Sequence, residues 1–314
     1  MIGTIVKSGM QLVLILLIAP FLTGMIKTLK ARLQTRRGPD VFQTYRDIFK
    51  LLRKGMVIPE TASWIFSAAP YVVFGTATLV GLMIPMTTTH APLSLFGGVL
   101  AVVYLLALGR FFLALGGLDT GSSFGGMGSS RAMTISAIAE PAMMLAIFTV
   151  ALAANSTNLS EMAKVAVSQS WTFLAPSQML AFSALFIVLV AETGRLPVDN
   201  PDTHLELTMI HEAMVLEYSG PYLALLEWGA SIKQLVLMTL LVNTFFPFGL
   251  SSDWTAGGLV QGFIFYFAKL LVLGCLIAVV ETSNAKLRLF RVPELLMIAF
   301  ILGSLALIST FLFI

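Results

Sequence analysis

Residues 258–280, GLVQGFIFYFAKLLVLGCLIAVV, carry a single charge, Lys269, near the middle of an otherwise apolar run. A hydrocarbon core about 30 Å thick is crossed by ~20 apolar residues in helical form. The run is long enough to cross a bilayer, and seven others resemble it, at roughly 5–26, 68–88, 92–115, 133–153, 178–194, 222–247 and 293–313. Of the 314 residues, 57% are hydrophobic and 11% are charged. A soluble domain carries about 25% charged residues, so a fold in water would leave too much apolar surface uncovered. The expected fold is all-α: a polytopic membrane helical bundle of about eight spans, forming one domain over 1–314. The first run is too long for a signal-peptide core and its positive charge mostly follows it, so it reads as a retained helix. No repeat of fixed period is present.

Lysine and arginine set the orientation. With the N-terminus outside, fifteen of the nineteen fall in cytoplasmic segments, Arg110 and Arg131 among them. Lys7 and Lys164 fall outside, and Lys233 and Lys269 lie within the membrane. That split expects both termini outside a bacterial or archaeal cytoplasmic membrane. It also accounts for the sequence pI of about 9.0 through topology rather than nucleic acid. One cysteine, Cys275, and three histidines, His90, His204 and His211, are a thin supply of ligands. No disulfide or cysteine-held iron–sulfur cluster can be built from them, so no metal or cofactor is expected in this chain.

Two cytoplasmic segments are not spans. In DVFQTYRDIFKLLRK, 40–54, the apolar Val41, Tyr45, Ile48, Phe49 and Leu52 recur at helical spacing between Arg46, Asp47, Lys50, Arg53 and Lys54. This is the pattern of an amphipathic helix lying at the interface. It serves either as a basic anchor on lipid or as a contact for a protein partner. In GGLDTGSSFGGMGSS, 116–130, glycine dominates, with no Gly-Lys-Ser/Thr ending and no preceding strand. That excludes a P-loop and reads as a close-packed turn between the third and fourth spans. His211-Glu212 begins like a zinc-protease motif, but Val215 stands where the second histidine belongs.

Ionisable groups are costly at membrane depth and mark ion or proton paths, or pair with one another. Here they are Glu140, Glu227, Lys233 and Lys269, with Glu192 and Glu281 near helix ends. The densest stretch is ETGRLPVDNPDTHLELTMIHEAMVLEYSG, 192–220. It sets Glu192, Asp199, Asp202, Glu206, Glu212 and Glu217 against one arginine, Arg195. Asn200 suits a helix cap and Pro201 a first helical position. Asp202, Glu206, Met209, Ala213 and Glu217 would then share a face. So acidic a cytoplasmic loop reads as a partner surface or a proton route, against the plainer reading of a solvated loop.

At these residues the sequence resembles the subunit 1 family of respiratory complex I. Within that family it is similar to hydrogenase-4 component C, formate hydrogenlyase subunit 4 and the matching subunit of group 4 membrane-bound [NiFe] hydrogenases. The resemblance rests on Glu192, Arg195, Pro197 and Asp199, then Asp202 and Glu206, then Glu217-Tyr218-Ser219-Gly220. It also rests on Arg36-Arg37-Gly38-Pro39 followed by Asp47 and Lys50, and on Glu140. His204, the longer stretch from Glu206 to Glu217, and Ser231-Ile232-Lys233-Gln234 depart toward the hydrogenase branch. The resemblance implies a coupling subunit that is non-catalytic alone. Its partners would be hydrogenase large and small subunits, iron–sulfur subunits and antiporter-like membrane subunits. The [NiFe] centre and iron–sulfur clusters would lie in those partners. It implies an ion pathway through Glu140, Glu192, Arg195, Asp199, Asp202, Glu206, Glu212, Glu217, Glu227, Lys233, Lys269 and Glu281. It implies a partner face at Arg36, Arg37, Tyr45, Arg46, Asp47, Lys50 and Tyr218. The alternative is the corresponding subunit of a quinone-reducing complex I-type oxidoreductase, with a quinone cavity and with Tyr45 and Phe49 beside the quinone tail.

Overall fold

The computed structural model describes residues 2–168, 175–199, 209–251 and 256–313. These residues are almost wholly helical: α1 Ile2–Leu33, α2 Gln43–Leu52, α3 Trp64–Met83, α4 Val99–Asp119, α5 Ser123–Ala153, α6 Leu159–Ser168, α7 Pro176–Glu192, α8 His211–Val215, α9 Gly220–Phe245, α10 Ala256–Ser283 and α11 Val292–Phe313. Seven of them are long and apolar enough to cross a membrane: α1, α3, α4, α5, α9, α10 and α11. The shorter α7 is apolar over 17 residues, the low end of what spans a bilayer. Together they match the expected polytopic bundle. The expected boundaries are short at several ends, because charged and glycine-rich turns continue the helices: α1 runs on through Lys27, Lys30 and Arg32.

The centre of the bundle is α9. It packs on α1, α2, α3, α6, α7 and α10. Of its most apolar stretch 72% is buried, against 28% for the last span. Side chains on the outer helices face lipid or neighbours, whereas polar groups on α9 can only face protein. Hence Gln234, Thr239 and Asn243 are all buried, as is Ser231.

The expected amphipathic helix is α2. Thr44 and Ile48 point inward against α1 and α9, while Arg46, Asp47 and Lys50 are exposed. The expected apolar set divides: Ile48 is buried, Phe49 is 60% exposed.

The glycine-rich stretch holds the expected close-packed turn between the third and fourth spans, but the turn is far shorter than 116–130. α4 continues to Asp119, and α5 begins at Ser123 after a turn in which Gly121 has a φ of 68°. Ser122 caps α5, its hydroxyl accepting from the Gly125 amide at 3.1 Å. Glycine disfavours helix in isolation, but here it lets helices touch. A Cβ on Gly125 would overlap the Gly117 carbonyl, and one on Gly128 would crowd Ala213 and the Ile210 carbonyl. The loss in propensity is offset by close packing among α4, α5 and α8.

The C-terminal end of α3 leads into an irregular segment, Ile84 to Thr89, that is buried rather than exposed. Backbone groups at such depth need internal partners. Gln11 donates to the Gly81 and Ile84 carbonyls at 2.8 Å each. Asn243 donates to those of Pro85 and Met86 at 2.8 and 3.0 Å.

Two neighbouring glycines test this packing. Gly125→Ala must push on backbone and should lose about 1–3 kcal/mol through overpacking. Gly126→Ala meets only a Leu118 methyl at 4.0 Å and should be neutral or gain up to about 1 kcal/mol of helix propensity. Thermal unfolding of the detergent-solubilised protein separates them.

Candidate functional site

Ionisable side chains from well-separated parts of the chain meet at one end of the bundle, beside the start of α9 and the end of α7. Arg110, on α4, is 9% exposed. Its Nη1 donates to Glu140 Oε1 of α5 at 2.6 Å, and its Nη2 to Glu192 Oε2 at the end of α7 at 2.7 Å. Lys233 of α9 donates to that same Glu192 oxygen at 2.8 Å. Two carboxylates thus share two cations, with no net charge. An unpaired ion in such a place costs several kcal/mol, and pairing with good geometry is what makes burial tolerable.

A second cluster lies one residue along α9. Arg195 Nη1 donates to Glu281 Oε1 of α10 at 2.7 Å, and its Nη2 to Gln234 Oε1 at 2.8 Å. Lys30 of α1 lies 3.5 Å from the other Glu281 oxygen. Lys233 and Gln234 are adjacent, so α9 joins the two clusters through its backbone.

A third centre is Asp199, 2% exposed. Its Oδ2 accepts the amides of Ile210 and His211 at 3.1 and 3.3 Å, and its Oδ1 lies 3.3 Å from Lys286 Nζ. By taking those two amides it fixes where α8 begins. The expected face running Met209, Ala213, Glu217 is therefore absent: α8 spans only His211–Val215, with Met209 before it and Glu217 in the turn after it. Asp202 and Glu206 lie outside the described residues.

The clusters border one cavity of about 450 Å³. Glu192, Asp199, Glu212, Glu227, Glu281 and His211 line it, with Lys27, Lys30, Arg36, Arg37, Arg110, Arg195 and Lys233. Leu106, Leu113 and Leu226 supply apolar wall. Burial holds His211 below its ordinary value of 6.5, partly countered by the Glu227 and Asp199 charges and reinforced by Lys233.

Of the expected pathway residues, the structure brings Glu140, Glu192, Arg195, Asp199, Glu212, Glu227, Lys233 and Glu281 to the cavity or its ion pairs. Glu217 is exposed and does not line it. Lys269 lies elsewhere, bonded to Asn243 Oδ1 and the Phe246 carbonyl. On the partner face, Arg36, Arg37, Arg46, Asp47 and Lys50 are exposed; Arg46 pairs with Asp40 at 3.0 Å. Tyr45 is half-buried and donates to the Leu17 carbonyl. Tyr218 lies inside: its ring stacks on Phe66 at 4.0 Å, its hydroxyl donates to the Phe66 carbonyl, and burial raises its phenol above its ordinary range.

Sequence reasoning missed Arg110, placing it in a cytoplasmic segment. It lies within a span, and an arginine inside the run 92–115 was itself the signal. Lys30, Gln234, Lys286 and His211 were also missed. Among the described residues, no group of three His, Cys, Asp or Glu side chains is placed to hold a metal ion.

Known proteins share this sequence pattern and this fold. Residues 6–312 match the family described as NADH dehydrogenase. Formate hydrogenlyase subunit 4 of Escherichia coli K12 is 36% identical over 299 residues, covering 95% of this chain and 96% of the relative. Hydrogenase-4 component C of the same organism is 34% identical over 297 residues, covering 94% and 92%. Among solved structures, a chain of the membrane-bound sulfane sulfur reductase, an archaeal respiratory membrane complex, superposes with a TM-score of 0.84 at 19% identity. That match covers 98% of this chain and 99% of the other, and shows the same fold.

Two outcomes follow from the site. Arg110→Gln leaves Glu140 and Glu192 short of a cation and should destabilise the protein by about 3–5 kcal/mol, read by thermal unfolding. His211 gives a pH dependence. Its folded proton affinity is depressed, so the unfolded segment binds more protons below 6.5 and stability falls as pH drops through that range. Hydrogen exchange of 209–219, corrected for intrinsic rates, should lose protection from about pH 7.5 to about pH 5.5, and His211→Gln should abolish that trend.

Proposed function

The chain belongs to the NADH dehydrogenase family, in its subunit 1 branch, and from that premise we propose that it is the membrane anchor and coupling subunit of a complex I-like, energy-converting [NiFe] hydrogenase. The two hydrogenase-type relatives match almost end to end, which supports the hydrogenase branch. The [NiFe] centre and iron–sulfur clusters belong to partner subunits docked on the cytoplasmic face, near the basic surface of Arg36, Arg37, Arg46 and Lys50. Antiporter-like membrane subunits carry the bulk of the H⁺ or Na⁺. The membrane is the cytoplasmic one, with both termini outside.

One observation carries this reading: ionisable groups from the loop side and from within the bundle border a single cavity. Asp199 and His211 lie at the loop, Glu212 and Glu227 at the cavity, and Lys233, Glu192, Arg110 and Glu140 inside the bundle. A change of charge in a docked redox partner changes the electrostatic potential at Asp199. Asp199 holds the amides that start α8, so weakening those bonds loosens α8 and moves His211 and Glu212 in the cavity. Glu227 and Lys233 feel that shift across the cavity. Lys233 has only to relax its hold on Glu192 for Arg110 to redistribute between Glu192 and Glu140. Each step alters pairing rather than carrying an electron, and coupled groups of this kind titrate as a set.

Glu192→Gln and Glu140→Gln in the assembled complex test it. Hydrogen evolution should persist while ion translocation per turnover, followed by a pH- or Na⁺-sensitive dye in inverted vesicles, falls toward zero. Full coupling in both variants would refute the proposal. Inhibition of turnover by quinone-site inhibitors would favour the quinone-reducing alternative instead.

A further inference from the structure

The mechanism does not use Lys269, a half-buried charge within a span. Lys269 lies at the middle of α10, three turns outward from Glu281. Helical side chains lean toward the helix N-terminus, which for α10 is the outer end. There its ammonium donates to Asn243 Oδ1 at 2.9 Å and to the Phe246 carbonyl at 3.0 Å. No carboxylate within ion-pair distance accompanies it among the described residues. Asn243 in turn holds the irregular segment after α3 through the Pro85 and Met86 carbonyls. The site is thus a set of neutral oxygens at the C-terminus of α9, the end that favours a cation, and the cation there is a side chain.

The position of this site gives it meaning. Polar residues recur along α9 at Glu227, Ser231, Gln234, Thr239 and Asn243, spread over about half of its circumference, and the last four are buried. Gln234 borders the cytoplasmic cavity. Beyond it along the helix, Thr239 and Tyr266 form a buried hydroxyl pair at 2.7 Å. Asn243 and Lys269 follow, one turn further along α9. A hydroxyl pair relays protons as readily as it blocks them. A fixed positive charge just beyond it repels any cation entering from either side, as an arginine does in pores that exclude protons and cations.

We propose that Lys269 is a tethered cation that occupies the carbonyl-type site formed by Asn243 and Phe246 and keeps the outer half of this chain closed to H⁺ and Na⁺. Ions driven by the complex then leave only through other subunits. This does not depend on whether hydrogenase or quinone chemistry supplies the energy, because a leak is measured without turnover.

The experiment uses the assembled complex in proteoliposomes with no electron donor, an imposed pH or Na⁺ gradient, and a dye reporting its decay. Lys269→Met and Lys269→Gln should speed the decay by about tenfold or more, the rate change that ~1.4 kcal/mol of barrier makes. Lys269→Arg should decay like the unmodified complex. Lys269→Gln keeps a donor for Asn243 or Phe246, so it reports on charge even if the methionine variant fails to assemble. Unchanged decay in the neutral variants overturns the proposal. So does equally fast decay in all three, which would assign the barrier to packing. Failed turnover-driven pumping with an unchanged passive leak also overturns it, because Lys269 would then be a carrier. Redox turnover in the same vesicles separates these outcomes from failure of the coupling mechanism, whose residues lie at the opposite end of α9.

Discussion

Glu192 is a carboxylate buried where a lone charge could not stay, and two cations from different helices share it. Arg110 and Lys233 both reach Oε2, at 2.7 and 2.8 Å. Most of the architecture around it answers to that constraint. α4, α7 and α9 must approach within the length of their side chains, and Arg110 binds α5 into the group through Glu140. Removing water from ions is expensive, so such a cluster persists only when every member has a partner. That same balance makes it responsive. With two cations and two carboxylates in reach, a small shift in one pairing redistributes the others at little net cost.

α9 translates this local chemistry into a transmembrane arrangement. Its adjacent Lys233 and Gln234 serve the Glu192 and Glu281 clusters respectively. Its outer end carries Asn243, which ties Lys269 to the buried segment after α3. Because α9 is enclosed by protein on most sides, its polar residues have no lipid or water to turn to. Polar residues on a central helix therefore make internal contacts along its length. On the peripheral α11, the faces left uncovered are apolar.

Much of this was legible in the sequence. Hydropathy marked the spans, and the positions of charges within them marked Glu140, Glu192, Lys233 and Lys269. The acid-rich stretch after Glu192 and its match to a known family identified the cytoplasmic loop. What could not be read were partners. Arg110 is 30 residues from Glu140 and 82 from Glu192, and Arg195 is 86 from Glu281. No local pattern fixes such pairs; the packing of spans does. The glycine-rich stretch misled about the length of its turn for a related reason. Its propensity argues for a loop, and only contact with Met214 and Ala213 of α8 shows why glycine is needed in a helix there. The helical face drawn through Glu217 failed because Asp199 starts α8 at His211, a capping contact between residues 12 apart in sequence.

The central claim is that carboxylates in this chain change protonation or pairing when redox centres in docked partners change charge. Redox-difference infrared spectroscopy of the assembled complex addresses it directly, since carboxyl and carboxylate stretches report protonation and pairing. The account predicts a carboxyl band that appears on reduction and is lost or shifted in Glu192→Gln, with the bands of the redox centres unchanged. A difference spectrum identical in the two proteins would contradict it.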